Sequence, residues 1–214
     1  MDANGRVLIA RRPPGKVLAG AWEFPGGKAQ AGETRPQALA RELKEELGIT
    51  LIERPRPLIR VHHRYPFGAV LIDLWVVRRY GGELRGVEGQ TLRWCPVDQL
   101  EDEDLLPADQ PIIHALRLPE RLSAAPSLHY TVGAAGAKRH GRLRGVLCMS
   151  AAEGLILARG RAADFLVLAS VIPESELAML CQAVDVPVYV VGASLEQAWA
   201  LGATGLNDIW SAGR

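Results

Sequence analysis

The sequence predicts an α/β protein in two parts, with a boundary near residue 125 that separates residues 1–124 from residues 125–214. Charged clusters such as Arg41–Glu46 lie mainly in the first part. A proline-containing passage at 118–127 follows, and after it short apolar runs alternate with alanine- and leucine-rich segments. A change of composition of this kind marks a domain boundary, and the alternation favours a parallel sheet in the second part.

In the first part, the expected strands outnumber the expected helices. An Asn-Gly turn precedes the first apolar run, which is expected to be a strand. Further along, Leu39, Leu43 and Leu47 recur every four residues ahead of Gly48, as in a helix with a glycine cap. The strands are expected at 6–12, 22–25, 58–65, 69–78 and 92–97, and the helices at 34–47 and 108–118. This pattern predicts a mixed or antiparallel sheet with two helices.

In the second part, strand-length apolar runs alternate with helix-like segments. The strands are expected at 146–150, 165–171 and 186–191, and the helices at 151–158, 174–183 and 195–201. Four or five strands fit in this length. The second part is therefore predicted to be a partial βα domain, an incomplete barrel-like structure with a parallel sheet.

Composition excludes several classes of protein. The chain is 48% hydrophobic and 23% charged, its formal net charge is +1, and no apolar run is long enough to span a membrane. No secretory signal is visible, and the three cysteines are far apart, so a cytoplasmic protein is expected. Without a block of basic residues, direct nucleic-acid binding and membrane association are not expected.

Three carboxylates on one helix point to a metal site. Glu42, Glu45 and Glu46 stand at i, i+3 and i+4, where they share a face and repel one another. Glu33 lies at the helix entrance, and Gly26-Gly27 precede it in a loop that lets a ligand approach the backbone. Mg²⁺ prefers such hard oxygen ligands. The alternative is a solvated acidic face, which is the commoner meaning of a charge run.

The spacing of the whole segment decides between these alternatives. Gly27 is followed after five residues by Glu33, and after seven more by the run Arg41–Ile49, and this pattern matches the Nudix box at every defined position. A chance match in a chain of this size is on the order of 10⁻⁷, so the acidic-face alternative is set aside. Residues 6 to about 118 resemble the MutT-type branch of the Nudix family, also through the stretches Glu23–Lys28, Gly86–Gln90 and Leu106–Pro111.

This resemblance implies a fold and a set of site residues. The fold would be an α/β/α sandwich with a mixed sheet, and a strand would precede the Asn-Gly turn, where the sequence has almost no residues. The expected metal ligands are Glu42, Glu45, Glu46 and Glu88 with the Gly26-Gly27 backbone, and the expected cofactor is Mg²⁺, with Mn²⁺ as the alternative. Arg41 would pair with Glu33 and hold the loop on the helix. The general base is either Glu42 or Glu88.

Four further residues are candidates for substrate binding. The resemblance places Arg12 toward the nucleotide, although it also fits a plain surface arginine. Lys28 follows the Gly-Gly turn, where it could reach phosphate, and Phe24 could either stack on the base or pack in the core. Asp109 occupies the position where the family usually has an asparagine that contacts the base; as an ionised acceptor it would favour the N7–H of 8-oxoguanine. Alternatively, Asp109 caps the last helix.

The predicted function follows from the resemblance. A MutT-type enzyme hydrolyses a nucleoside triphosphate to the monophosphate and pyrophosphate, and the expected substrates are oxidised nucleotides such as 8-oxo-dGTP. One alternative is a Nudix hydrolase of another nucleoside diphosphate derivative or of a thiamine-pathway diphosphate. Another is a non-catalytic sensor with the same fold, which would be favoured if a box carboxylate were missing; none is.

The second part is similar to the thiamine-phosphate synthase family. The resemblance covers residues 128–214 and rests on Ala163–Pro173, Val186–Gly192 and Gly202–Gly205. The phosphate-binding Thr-Lys of that family is missing after Pro173, and the segment is too short for a full barrel. We therefore expect no synthase activity, and a homodimer formed through this segment, because an open parallel sheet exposes apolar edges.

Overall fold

A computed structural model describes residues 1–123, 130–133 and 142–208. The elements up to the middle of the chain are β1 (Val7–Arg11), β2 (Trp22–Glu23), α1 (Arg35–Leu47), β3 (Thr50–Leu51), β4 (Arg56–Tyr65), β5 (Gly68–Val76), β6 (Tyr80–Gly81), β7 (Leu92–Cys95) and α2 (Gln110–Leu116). They are followed by β8 (Arg121–Leu122), β9 (Tyr130–Gly133), β10 (Leu143–Cys148), α3 (Ala151–Arg159), β11 (Phe165–Leu168), α4 (Glu174–Ala183), β12 (Val188–Val190), α5 (Leu195–Ala200) and β13 (Gly205–Asn207). Both parts of the chain combine helices with strands, and from β10 onward the two alternate, so the α/β prediction is confirmed.

Helix α1 begins and ends where its sequence signals stand. Thr34 is the N-cap residue, and its backbone N–H donates to Gln37 Oε1 at 2.9 Å. The helix ends at Gly48, which adopts the left-handed conformation (φ 70°) that a side chain would disfavour. The N–H groups of Arg85 and Val87 then donate to the carbonyls of the last turn, those of Leu47 and Glu46. Polar backbone groups at both ends of α1 therefore have hydrogen-bond partners outside the regular pattern of the helix.

A three-stranded antiparallel sheet supports α1. The strand order is β2-β1-β7, with Leu8 opposite Trp94 and Ala10 opposite Glu23. Leu43 and Leu47 of α1 form a buried cluster with Ile49, against which Leu8 of β1 and Leu92 of β7 also pack. The apolar stripe of the helix thus covers the sheet, and the acidic stripe faces away from this core. One parallel bridge, between Trp22 and Leu105, makes the pairing mixed.

By compactness the chain divides into two units, Met1–Arg56 with Trp75–Ile113, and Pro57–Leu74 with His114–Arg214. The second unit contains most of the β4-β5 hairpin. Within it, Thr204 Oγ1 donates to the Leu58 carbonyl at 2.9 Å, and Arg60 donates to the Gln182 carbonyl at 3.2 Å. The boundary expected at residues 124–125 lies outside the described residues and stays a prediction.

The second unit is organised around a parallel sheet. Its order is β8-β13-β12-β11-β10-β9, and every neighbouring pair is parallel. Five of its six described strands, β9 to β13, lie in residues 128–214, where the sequence analysis expected four or five, and the sixth, β8, precedes that segment. The sequence analysis gave no range for β8, β9 or β13, which have two to four residues each and are too short for a periodic pattern to reveal.

Both faces of this sheet are buried. Leu166 and Leu168 of β11 pack in one apolar cluster with residues of α3 and α4, whereas Phe165 and Val167 pack in another. The Phe165 ring meets the Tyr189 ring edge-on at 5.7 Å. Sheets covered on both faces have continuously apolar strands, and this explains why β11 and β12 read as unbroken apolar runs. In the described residues, no helix is long and apolar enough to cross a membrane.

Candidate active site

Arg41 is the centre of a network that joins the loop before α1 to the helix. Its guanidinium holds both Glu33 oxygens, at 2.7 and 2.9 Å, and donates to the Lys28 carbonyl at 2.9 Å. It also donates to Glu42 Oε1 at 2.9 Å and to Glu45 Oε2 at 3.0 Å. A rigid guanidinium fork is suited to several such contacts at once, which a lysine could not make. Arg41 therefore fixes the loop and orients two of the box carboxylates.

The charges of this network support each other. Arg41 holds the pKa of Glu33 at about 2, well below its usual range, and the Gln30 N–H adds a second hydrogen bond at 2.8 Å. The same carboxylates, Glu33 first and then Glu42, raise the pKa of Arg41 further above its ordinary value. The Glu33–Arg41 pair is thus ionised over the whole physiological pH range.

Gly27 leaves the space in which the Glu42 carboxylate lies. A Cβ atom at residue 27 would stand 2.1 Å from Glu42 Oε2, far inside van der Waals contact. The Glu42 side chain is only 14% exposed, so the carboxylate is enclosed by the loop on one side and by Arg41 on the other. The glycine is required here by close approach, since any side chain would displace Glu42.

The ionised form of Glu46 is disfavoured in this site. Its Oε2 accepts a hydrogen bond from the Gly26 N–H at 3.1 Å. Burial raises the pKa of Glu46 to about 7, against the lowering effect of that hydrogen bond, and the charges of Glu42, Glu88 and Glu23 raise it further. Four carboxylates are therefore near enough to repel one another.

Glu88 reaches this group from the loop after β6. The loop is tied to α1 because the Val87 N–H and the Gln90 side-chain amide both donate to the Glu46 carbonyl, each at 2.9 Å. Gln90 also accepts from the Glu88 N–H at 2.9 Å. Sequence reasoning named Glu88 but missed Gln90 as the residue that positions it, although Gln90 lies in the same family-like stretch.

The donor set fits a divalent cation. Within the described ranges, no three His, Cys, Asp or Glu side chains already converge closely enough to hold a metal ion; Arg41 donates to Glu42 and Glu45, and the Gly26 N–H donates to Glu46. The raised pKa of Glu46 nevertheless marks a concentration of hard, anionic oxygen donors whose mutual repulsion a cation would relieve. Glu45, whose side chain is 58% exposed, lies at the open side of this group.

A second cluster joins Arg12, Glu23 and Asp109. Arg12 forms an ion pair with Glu23, and its Nε donates to the Val17 carbonyl at 2.8 Å. Asp109 is 4% exposed, and its Oδ2 has no hydrogen-bond partner in the part of the chain that the structure describes. Burial, and then the charge of Glu23, raise the pKa of Asp109 to about 7, whereas Arg12 lowers it.

These facts change the expectations for Asp109 and Arg12. An ionised Asp109 was expected, but its pKa near 7 means that a large share of the side chain is neutral at physiological pH. The capping alternative gains no support, since Oδ2 makes no hydrogen bond. Arg12 is already engaged by Glu23 and by its own loop. The sequence analysis did not name Glu23 as a site residue. Glu23 belongs to the family-like stretch Glu23–Lys28, but the sequence alone does not show that it pairs with Arg12 and acts on Asp109.

Lys28 and Phe24 lie in the same loop as the glycines. Lys28 is exposed, and its backbone carbonyl, rather than its side chain, makes the contact with Arg41. Phe24 is half-buried, which leaves both the stacking and the packing interpretations open. Their roles stay predictions.

Comparison with known proteins finds relatives of the first part of the chain. The sequence model of the NUDIX domain matches residues 1–115. The CTP pyrophosphohydrolase of Escherichia coli (strain K12) is 37% identical over 116 residues, covering 54% of this chain and 84% of that protein. The 8-oxo-dGTP diphosphatase of the same strain is 37% identical over 121 residues, covering 54% of this chain and 89% of that protein.

A solved structure of MutT, from a study of Aliivibrio salmonicida and Vibrio cholerae, is 32% identical and covers 54% of this chain and 89% of that chain, with a TM-score of 0.47. These matches concern the first part, so the similarity of residues 128–214 to thiamine-phosphate synthases stays a prediction. The NUDIX match spans more than half of the chain and includes every carboxylate of the Arg41 network. The chain therefore belongs to the Nudix family.

Proposed function

We propose that this chain is a Mg²⁺-dependent nucleoside triphosphate pyrophosphohydrolase that releases a nucleoside monophosphate and pyrophosphate from oxidised nucleotides such as 8-oxo-dGTP. The observation that carries the proposal is the Arg41 network, which orients Glu42 and Glu45 beside the Gly26-Gly27 loop. The names of the two Escherichia coli relatives, which act on CTP and on 8-oxo-dGTP, support a nucleotide substrate.

In this proposal the metal would be held by Glu42, Glu45, Glu46 and Glu88, with a backbone carbonyl of the Gly26-Gly27 loop. When bound, Mg²⁺ or Mn²⁺ neutralises phosphate charge and acidifies the attacking water. A carboxylate takes the proton of that water. Glu88 is the better candidate for this base, since one Glu42 oxygen already accepts from Arg41, whereas Glu88 lies exposed on its loop.

The remaining site residues serve the substrate. Lys28, exposed beside the glycine turn, can reach the phosphates, and Phe24 can contact the base. Arg12 acts through its ion pair with Glu23 and supports Asp109, the proposed reader of the base. Arg41 and Glu33 stay ionised and keep the loop on the helix during turnover, because their pKa values lie far from neutrality.

A screen for pyrophosphate release tests this function. Nucleoside triphosphates, including 8-oxo-dGTP, dGTP and CTP, are incubated with Mg²⁺, with Mn²⁺, and with a chelator. We expect metal-dependent release of pyrophosphate and monophosphate, with 8-oxo-dGTP preferred to dGTP. Absence of turnover on every triphosphate, or equal turnover in the chelator, would contradict the proposal.

A single substitution tests the metal site. Glu46→Gln should lower kcat by about 10²-fold or more, as loss of metal or base catalysis does. Glu53→Gln is the matched control, because Glu53 is an exposed carboxylate outside the site. Near-normal turnover in Glu46→Gln would refute the assignment of the box carboxylates to a metal site.

A further inference from the structure

Exposed large apolar side chains concentrate on α3, on α4 and on the loops that lead into these helices. Four of the ten such side chains in the described residues lie between residues 149 and 179: Met149 is 62% exposed, Ile156 and Val171 are 72% exposed, and Met179 is 60% exposed. A single exposed apolar residue is ordinary, but a group of them on neighbouring elements indicates a surface that binds another molecule.

The two helices lie side by side on one face of the parallel sheet. Each follows one of two neighbouring parallel strands, α3 after β10 and α4 after β11, so both helices run in the same direction. A Cβ atom at Gly154 of α3 would stand 3.3 Å from Leu180 Cδ2 of α4, so the helices pack closely. Counted from Ala151 and from Glu174, Ile156 and Met179 are each the sixth residue of their helix, and they therefore lie at similar heights.

Met149 and Val171 extend this apolar surface to the N-terminal ends of the two helices. Ser170 Oγ donates to the Met149 carbonyl at 2.7 Å, which joins the loop before α3 to the loop before α4. Val171 is the next residue of the second loop. The Met149 N–H donates to Glu153 Oε2 at 2.7 Å, which fastens the first loop to α3. Hydrogen bonds therefore hold the two loops against each other and against the helix.

Charged side chains of opposite sign lie at the two ends of this surface. At the N-terminal end, Glu153 lies in the first turn of α3, and Glu174 and Glu176 lie in the first turn of α4. At the C-terminal end, Arg159 lies in the last turn of α3, and Arg161 comes shortly after it. These positions suit the helix dipoles, but the dipoles do not account for the exposed apolar residues between the charges.

Most of these charges are uncompensated in the part of the chain that the structure describes. Asp185, an acid that follows α4, adds no free negative charge at the basic end, because it is engaged by His62. The exposed side chains that form no ion pair with another described residue are Arg159, Arg161, Glu174 and Glu176. The surface thus has an apolar middle, an acidic end and a basic end, and it is complementary to itself when one copy is reversed.

We propose that this surface, the α3–α4 face, binds a second copy of the chain about a two-fold axis. An axis through the middle of the face reverses the direction of the helices in the second copy. The glutamates at one end of each copy then meet the arginines of the other, and Ile156 and Met179 of both copies are buried at the centre. An apolar centre with a polar rim is the usual composition of protein interfaces.

The α3–α4 face is distinct from the open edges of the sheet, and its self-association does not depend on the proposed function. The test is the dissociation constant of the dimer, Kd, measured on the full chain by sedimentation from about 1 to about 100 µM. Ile156→Glu with Met179→Glu buries unpaired like charges at the centre and should raise Kd about 10²-fold or more. Glutamate favours helices, so circular dichroism should be unchanged.

Two control variants locate the effect. Leu71→Glu introduces the same charge at a residue of β5 that is 52% exposed, and it should leave Kd unchanged. Thr131→Lys places a charge on the outer strand β9, where it opposes pairing of sheet edges, and it should also leave Kd unchanged. A dimer that survives Ile156→Glu with Met179→Glu but is lost in Thr131→Lys forms through the sheet edges and overturns the inference.

Charge reversal tests the two-fold arrangement directly. A chain with Arg159→Glu and Arg161→Glu is acidic at both ends of the face, and a chain with Glu174→Lys and Glu176→Lys is mainly basic, so each alone should dimerise at least about tenfold more weakly. Mixing the two chains should restore a dimer that contains one copy of each. A native chain that is monomeric at about 100 µM, or two folded reversed chains that do not associate when mixed, would overturn the inference.

Discussion

The buried carboxylates of the first unit and the apolar side chains in the parallel sheet of the second unit affect the stability of the fold in opposite directions. In the first unit, Glu46 and Asp109 have pKa values raised by burial and by neighbouring negative charge, so their ionised forms destabilise the fold. In the sheet, Phe165, Leu166 and Tyr189 are fully buried apolar contacts that stabilise it. The difference teaches that the ionised carboxylates of the site lower the free energy of unfolding, whereas the buried side chains of the sheet raise it. Substitutions that remove these groups should therefore have opposite effects on stability in the two regions.

The largest expected effect is in the sheet. Phe165→Ala removes a ring that contacts the Tyr130 and Tyr189 rings, and should lower the free energy of unfolding by about 3–5 kcal/mol. Phe67→Ala is the matched control, because Phe67 is 63% exposed, and the substitution should cost less than about 1 kcal/mol. Denaturant unfolding measures both. Equal losses in the two variants would break the comparison.

Asp109→Asn should act in the opposite direction, and most strongly at high pH. A carboxyl whose folded pKa is raised gives stability that is present below its unfolded pKa, near 3.8, and is lost as the pH rises through about 7. At 1.36 kcal/mol for each pKa unit, the loss at pH 8 is at most about 4 kcal/mol. Asp109→Asn should therefore have the higher Tm at pH 8, and a smaller advantage at pH 5. Parallel Tm curves across this range would contradict the assignment.

Gly27→Ala tests whether a substitution in the site can lower activity without lowering stability. The added Cβ must displace the Glu42 carboxylate, which is the end of a flexible side chain, so stability should change little while kcat falls about tenfold. Gly160→Ala, at the end of α3, is the control, since its nearest contact is 3.3 Å to the Ile156 carbonyl and its activity should be normal. Full activity in Gly27→Ala would show that the close approach has no functional role.

The smallest effect is expected for the second part of the chain. Residues 128–214 should form no thiamine phosphate from the pyrimidine diphosphate and the thiazole phosphate, because the Thr-Lys motif is missing after Pro173. In the described part of the sheet β8 and β9 are the outer strands, and because an open sheet edge can pair with a second chain, we expect a homodimer. Light scattering should show a dimer; synthase activity or a monomer would refute the respective expectation.

The sequence predicted the structure best where several independent sequence signals fall on the same element. Helix α1 could be predicted because Leu39, Leu43, Leu47 and Gly48 give its period and its end, and the box spacing named the carboxylates on it. The two-residue strands β3 and β6 could not be predicted, because a pair of residues has no period. The raised pKa of Asp109 was also out of reach, since it depends first on burial and then on the charge of Glu23, which is distant along the chain and acts on Asp109 only in the folded protein.

The hydrogen bonds to the Glu46 carbonyl limit where the chain can accept insertions. It accepts hydrogen bonds from the Val87 N–H and the Gln90 side chain, and so fastens the Glu88 loop to the end of α1. Insertions between Arg85 and Gln90 would break this attachment, whereas insertions at the exposed turn beside Phe67 would leave it intact. Homologous chains should accordingly vary in length at the hairpin turn and keep a constant length between Arg85 and Gln90.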